Sequence, residues 1–155
     1  KKLMKLELIE DVKISKKLGY ILKIDIKEKK VLYLTRSTNK YKLSDGSDLE
    51  SDIKFNAPLL INYVTQDIEK YFITELYKID NDVISLVSEI EYSKTDFDSK
   101  RFMFYMNDEN LVYVNTNKMK SFNKYINIVT KLDNKKGILY LDSGNYFEIK
   151  EKWYV

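Results

Sequence analysis

The chain has 155 residues and a formal net charge of +3, and it contains 13 tyrosines but no histidine and no cysteine. Imidazole and thiol supply most acid–base, nucleophilic and zinc chemistry near neutral pH, so a Ser-His-Asp triad, a cysteine nucleophile, a zinc site and a disulfide are excluded or disfavoured together. A hydrophobic fraction of 44% is enough for a packed core, and the length is that of one domain.

Along the chain the apolar period is mostly two, the signature of half-buried strands. Leu6, Leu8, Val12 and Ile14 alternate with charged residues. Leu22, Ile24 and Ile26 face one way while Lys23, Asp25 and Lys27 face the other. Glu28-Lys29-Lys30 reads as a hairpin turn into Val31–Leu34, and Ser44–Asp48 reads as a loop. Ile53–Phe55 and Leu59–Val64 read as strands, with Pro58 at a strand start or edge. Tyr71–Ile79 is rich in strand formers, and Asp80-Asn81-Asp82 is expected to turn it into Val83–Ile90 as a hairpin. Ser93–Ser99 is polar and is expected to be a boundary. Arg101–Met106 and Leu111–Val114 flank the turn Asn107–Asn110. Lys118–Leu132 fits a helix through Met119, Phe122, Ile126 and Val129, with Asn117 as its cap, although Ile126 and Ile128 fit a strand as well. Ile138–Leu141 and Tyr146–Trp153 close the chain as a hairpin. With four Gly and one Pro, the turns fall to Asn, Asp and Ser.

This rhythm predicts a mainly β fold, a barrel or sandwich of short antiparallel strands with at most one or two helices, or else an α+β domain. The expected division is a barrel-like unit over residues 1–99 and a β-rich extension over 100–155, packed together or apart. Charge is segregated: residues 1–43 are strongly basic, 44–99 strongly acidic and 100–155 basic again. Two faces of opposite potential would orient a charged partner.

Few constellations carry chemistry. Asp45, Asp48, Glu50 and Asp52 lack the offsets and the central glycine of a calcium loop, so no metal site is expected. Isolated glycines cannot form a phosphate-binding loop. No spacing identifies the paired carboxylates of a histidine-free hydrolase, which stays as an alternative. Aromatics at alternate strand positions are the better lead. Phe102 and Phe104 share a face with Met106 and read as core. Arg101, Met103 and Tyr105 share the opposite face, where Arg101 and Tyr105, with Lys100 and Tyr113 nearby, are the candidate ligand-binding residues. Such rings beside cations stack nucleotides or single-stranded nucleic acid, which gives a second reading, including a cap-binding-like fragment of a larger protein.

The runs Gly19-Tyr20-Ile21-Leu22, Leu32-Tyr33-Leu34, Ala57–Tyr63, Tyr71-Phe72-Ile73-Thr74, Asp82–Leu86 and Lys100-Arg101-Phe102 together resemble the flagellar-brake type of bacterial regulator, in which a small barrel precedes a PilZ barrel. In that family an RxxxR segment binds cyclic di-GMP. Here Tyr105 stands at the second arginine, so the resemblance implies that this ligand is lost and that the domain acts by protein contact. The leading expectation is therefore a non-enzymatic regulatory or protein-interaction module with a protein partner and no cofactor. No apolar run approaches the roughly 18 residues of a membrane helix. The absence of cysteine points to the cytoplasm. A start at Lys1 in place of Met is expected of a piece of something longer.

Overall fold

The computed structural model describes residues 6–133 and 135–150; Trp153 and Tyr154, and with them the end of the last expected strand, lie outside the described residues. Strands β1 (Ile9–Lys17) and β2 (Ile21–Glu28) form an antiparallel ribbon. The other nine are β3 (Val31–Thr35), β4 (Lys40–Leu43), β5 (Asp48–Leu49), β6 (Leu59–Leu60), β7 (Val87–Tyr92), β8 (Arg101–Met106), β9 (Leu111–Asn115), β10 (Gly137–Tyr140) and β11 (Tyr146–Ile149). They form one sheet in the order β11-β10-β9-β8-β7-β6-β3-β4-β5. The mainly β expectation holds. Among the described residues the sheet is mixed, with β11 and β5 at its ends, and does not close into a barrel. It runs across position 99, because β7 and β8 pair with each other.

Three neighbour pairs are parallel: β3 with β6, β6 with β7, and β9 with β10. Parallel neighbours need a crossover of a dozen or more residues, usually helical. That requirement places the helices. Helix α1 (Gln66–Leu76) and the single turn α2 (Asn81–Ile84) connect β6 to β7, while a 3-10 helix (Thr116–Lys124) and α3 (Tyr125–Lys131) connect β9 to β10.

Several expectations fail: Ile53–Phe55 is not a strand, and Asp80–Asp82 leads into the helical turn α2 instead of a hairpin, the next strand beginning only at Val87. Two further failures have identifiable reasons. Tyr71–Ile79 is not a strand. Ile68, Phe72, Leu76 and Ile79 recur every three or four residues and turn inward, whereas Tyr71 and Tyr77 are exposed, so the segment is amphipathic with a helical period. Asp67 and Glu69 in its first turn complement the helix dipole. Nor is Glu28–Lys30 a hairpin turn. The turn falls instead at Gly19, whose φ of +90° suits glycine, so β2 returns along β1 and residues 28–30 link the ribbon to the sheet. Lys118–Leu132, which fits helix and strand alike in sequence, is helical, first 3-10 and then α, and the cap is Asn115, whose side chain accepts from the Asn117 amide at 2.8 Å. Asn39 and Asn145 take positive φ in the β3–β4 and β10–β11 turns, as a glycine-poor chain requires.

The core lies between the sheet and its helices. Phe72 of α1 stacks on Phe102 of β8 with centroids 4.0 Å apart and planes 9° from parallel. Phe104 meets Phe122 of the 3-10 helix at 4.9 Å, and Phe122 meets Tyr125 of α3 at 5.8 Å. The assignment of Phe102, Phe104 and Met106 to the core is therefore correct. A smaller cluster of Tyr41, Leu43 and Leu49, with Leu34, Phe55 and Ala57 against it, covers the other face at the β3–β5 end.

At the junction with the ribbon, Lys29 Nζ lies 2.8 Å from Asp45, Lys30 and Ser44 exchange backbone and side-chain bonds, and Lys30 Nζ donates to the Ile79 carbonyl at 3.1 Å. Partial desolvation opposes ionisation of Asp45, but the Lys29 ammonium and the Ser47 hydroxyl and amide outweigh it and hold the carboxyl down at about 2. A depressed carboxylate contributes stability above its unfolded pKa, and that contribution is lost as pH falls through the folded one. Asp45→Asn is expected to flatten the acid limb between about pH 4 and pH 2 in denaturant titrations and to lower stability at pH 7. An unchanged acid limb would remove Asp45 as its source.

Candidate interaction surface

Alternation along β8 and β9 puts Arg101, Met103, Tyr105, Leu111 and Tyr113 on the face of the sheet away from the helices. Parallel pairing of β9 with β10 sets Tyr140 beside Tyr113, and antiparallel pairing of β10 with β11 sets Tyr146 beside Tyr140. The result is a row of flat groups across four strands. The Arg101 guanidinium lies 4.4 Å from the Tyr113 ring centroid. Tyr113 stacks on Tyr140 at 5.4 Å and 20°, and Tyr140 on Tyr146 at 4.6 Å and 15°. Such pairs contribute about 0.5–1.5 kcal/mol each beyond their buried area. Among the described residues the row ends at Tyr146, which is 51% exposed.

Polar bonds brace the row. Arg101 Nε donates to the Ser93 carbonyl at 2.8 Å, and its Nη1 lies 3.7 Å from Asp142, so its charge is already partnered. Tyr105 Oη donates to Glu91 at 2.8 Å; desolvation first, then this bond, pushes the Tyr105 phenol up to about 12. Tyr140 Oη donates to Glu148 at 3.2 Å. Lys100 lies apart from this group. Its side chain turns to the helical face, where Nζ sits 4.6 Å over the ring of Tyr71. Of the four expected site residues, the fold thus gathers Arg101, Tyr105 and Tyr113 and separates Lys100. Tyr140, Glu91 and Asp142 escaped the sequence reading. Their only local signal is alternation, since the parallel β9–β10 pairing that aligns Tyr140 with Tyr113 joins strands separated by two helices.

The acidic run spreads into ion pairs: Asp45 with Lys29, Asp48 with Lys42, Glu50 with Lys40. Among the described residues no group of three or more carboxylates is placed to hold a metal ion, and no helix is long and apolar enough to cross a membrane.

The edge of the sheet matters as much as its face. Lys150 N donates to the Lys136 carbonyl, so in this antiparallel pair the backbone groups of residues 146, 148 and 150 point inward to β10. Those of Phe147 and Ile149 therefore point outward, where the sheet has no further strand among the described residues. β10 holds β11 closely: a Cβ at Gly137 would collide with the Glu148 carbonyl, so only glycine fits there.

The architecture is similar to that of a solved bacterial domain, the major extracytoplasmic domain of the trans isomer of the cell division protein DivIB from Geobacillus stearothermophilus. The TM-score is 0.56 and the identity 22%, covering 69% of this chain and 96% of that one. In sequence, the chain is similar to the cell division protein DivIB of Bacillus subtilis strain 168, with 32% identity over 157 residues, or 96% of this chain and 59% of the relative. DivIB of Listeria monocytogenes is 29% identical over 154 residues, 94% of this chain and 57% of the relative. The chain thus spans less than two thirds of these relatives. No family profile matches it.

These likenesses overturn the resemblance to flagellar-brake and PilZ regulators. That resemblance rested on strand rhythm, and one of its runs, Tyr71-Phe72-Ile73-Thr74, lies inside α1. The expectation of a cytoplasmic protein is overturned as well, since the domain that shares the fold is extracytoplasmic and the sequence relatives are DivIB proteins. A chain without cysteine is compatible with either side of a membrane, which is why its composition misled.

Proposed function

We propose that this chain is a non-enzymatic docking module of the cell division machinery, displayed on the extracytoplasmic side, that binds a protein partner by accepting an extended segment at β11. The DivIB likeness supports the setting. The observation that carries the binding mode is that β11 is the last strand of the sheet among the described residues, and its outward N–H and C=O groups at Phe147 and Ile149 are a template for another strand. The opposite edge is a poorer one: β5 has two residues, and its Asp48 is held by Lys42 at 2.7 Å. Short charged edges resist pairing.

Neither the nucleotide or nucleic-acid reading nor the hydrolase reading gains support from the DivIB likeness. The planar-ligand version also needs a free guanidinium, and that of Arg101 is taken up by Ser93, Asp142 and Tyr113.

Proline at 149 removes an outward donor and leaves the inward bonds of residues 148 and 150 in place. In full-length protein expressed in place of the native copy, Ile149→Pro is expected to give filamentous cells at normal protein level, while Ile149→Ala divides normally. Normal division with both variants would refute docking at this edge.

A further inference from the structure

The stacked row on the open face has two ends of different character. At the β8 end a guanidinium closes it, with Arg101 lying 4.4 Å from the Tyr113 centroid. At the β11 end no further ring or cation stacks on Tyr146 among the described residues, and Tyr146 is half exposed beside an exposed carboxylate, Glu148. A strand added to β11 places one of its residues directly opposite Tyr146. Because the backbone groups of Tyr146 point inward, an antiparallel addition makes this a non-hydrogen-bonded pair, the kind with side chains closest together, about 4.5 Å between Cα atoms. The electron-rich face of a tyrosine favours a cation, and a flat cation most of all. Glu148, two residues along the same face, is within diagonal reach of a long side chain. On the other face the adjacent residue of the added strand lies beside Phe147, which packs against the core.

We infer that β11 selects its incoming segment by an arginine, which stacks on Tyr146, pairs with Glu148 and completes at this end of the row the cap that Arg101 makes at the other. The residue next to that arginine in the segment is apolar and extends the core side past Phe147. This inference rests on strand addition at β11 and specifies the partner: an extended peptide bearing arginine beside an aliphatic or aromatic residue. Lysine is a poor substitute, because an ammonium cannot lie flat on the ring and bond the carboxylate in a fork at the same time.

The test selects a displayed library of random ten-residue peptides on the purified chain, then titrates synthetic winners by fluorescence anisotropy against variants. Enriched peptides are expected to share an arginine flanked by an apolar residue. Arginine to alanine in the peptide should weaken binding about tenfold on the unaltered chain, but less than twofold on Tyr146→Ala, with Tyr146→Phe binding like the unaltered chain. Retention of circular dichroism and thermal midpoint in Tyr146→Ala keeps that comparison valid; if it unfolds, Glu148→Gln supplies the second arm, with an expected several-fold loss. Peptides that lose binding with Ile149→Pro yet carry no arginine, or ignore Tyr146 and Glu148, overturn the arginine rule and leave strand addition standing. Peptides that bind Ile149→Pro unchanged overturn strand addition itself, and no enrichment at all overturns both.

Discussion

Phe72→Ala is expected to cost about 3–5 kcal/mol, the usual range for removing a fully buried phenylalanine. Phe72 is 0% exposed and touches the sheet at its centre, stacked on Phe102 at 4.0 Å and tilted against Tyr33 at 5.8 Å and Phe104 at 6.4 Å. Three of its ring neighbours are lost together, and α1 has no other aromatic pointing inward, since Tyr71 lies on its exposed side. In a chain of this size each kcal/mol shifts the thermal midpoint by about 2–4 °C, so the midpoint should fall on the order of 10 °C. Phe72→Leu, which refills most of the volume, should recover more than half of the loss. Tyr71→Ala, one residue away, should be nearly neutral. Equal effects of Phe72→Ala and Tyr71→Ala in calorimetry would mean that α1 does not pack as described.

Asn110→Ala is the second large effect, through hydrogen bonds and not volume. Asn110 is 1% exposed at the β8–β9 turn. Its side-chain oxygen accepts from the Gly137 amide at 2.8 Å, and its nitrogen donates to Tyr125 Oη and to Asp108, each at 3.0 Å. Tyr125 Oη donates in turn to the Asp108 carboxylate at 2.8 Å. One amide thus joins the turn, α3 and the start of β10. Its removal strands the buried Gly137 N–H, and an unsatisfied buried group costs about 1–3 kcal/mol. The loss of the Tyr125 and Asp108 bonds adds to that. Tyr125→Phe should destabilise as well, and the double variant should fall short of the sum, because the residues share one network. Simple additivity in denaturant melts would show that the two act independently. Because Gly137 opens β10, and β10 carries β11, the Asn110 variant should also weaken peptide capture at the edge.

Some of this was legible from residue order alone. The β8–β9 hairpin, the turn residues and the inward set Phe102, Phe104 and Met106 follow from a period of two, which is a local property of the backbone. So does the grouping of Arg101 with Tyr105 on the other face. The α1 segment was misread because Tyr, Phe, Ile and Thr favour strands, a weak preference; what prevailed was the burial of Ile68, Phe72 and Leu76 under the helical period, decided by the sheet they cover. Lys100 was grouped with Arg101 because they are adjacent, yet adjacent strand residues point to opposite faces. The setting was misread because strand rhythm is shared by unrelated β proteins and the absence of cysteine does not report a compartment.

Residue order by itself determined that this protein is mainly β, has no imidazole or thiol chemistry, and is rich in tyrosine on alternate strand positions. Only the tertiary structure decided that Tyr113, Tyr140 and Tyr146 form one row and that, among the described residues, the row ends at the last strand of the sheet. The physical reason is the parallel β9–β10 pairing. It joins strands separated by the 3-10 helix and α3, and its register is set by the packing of those helices on the sheet and not by any local signal.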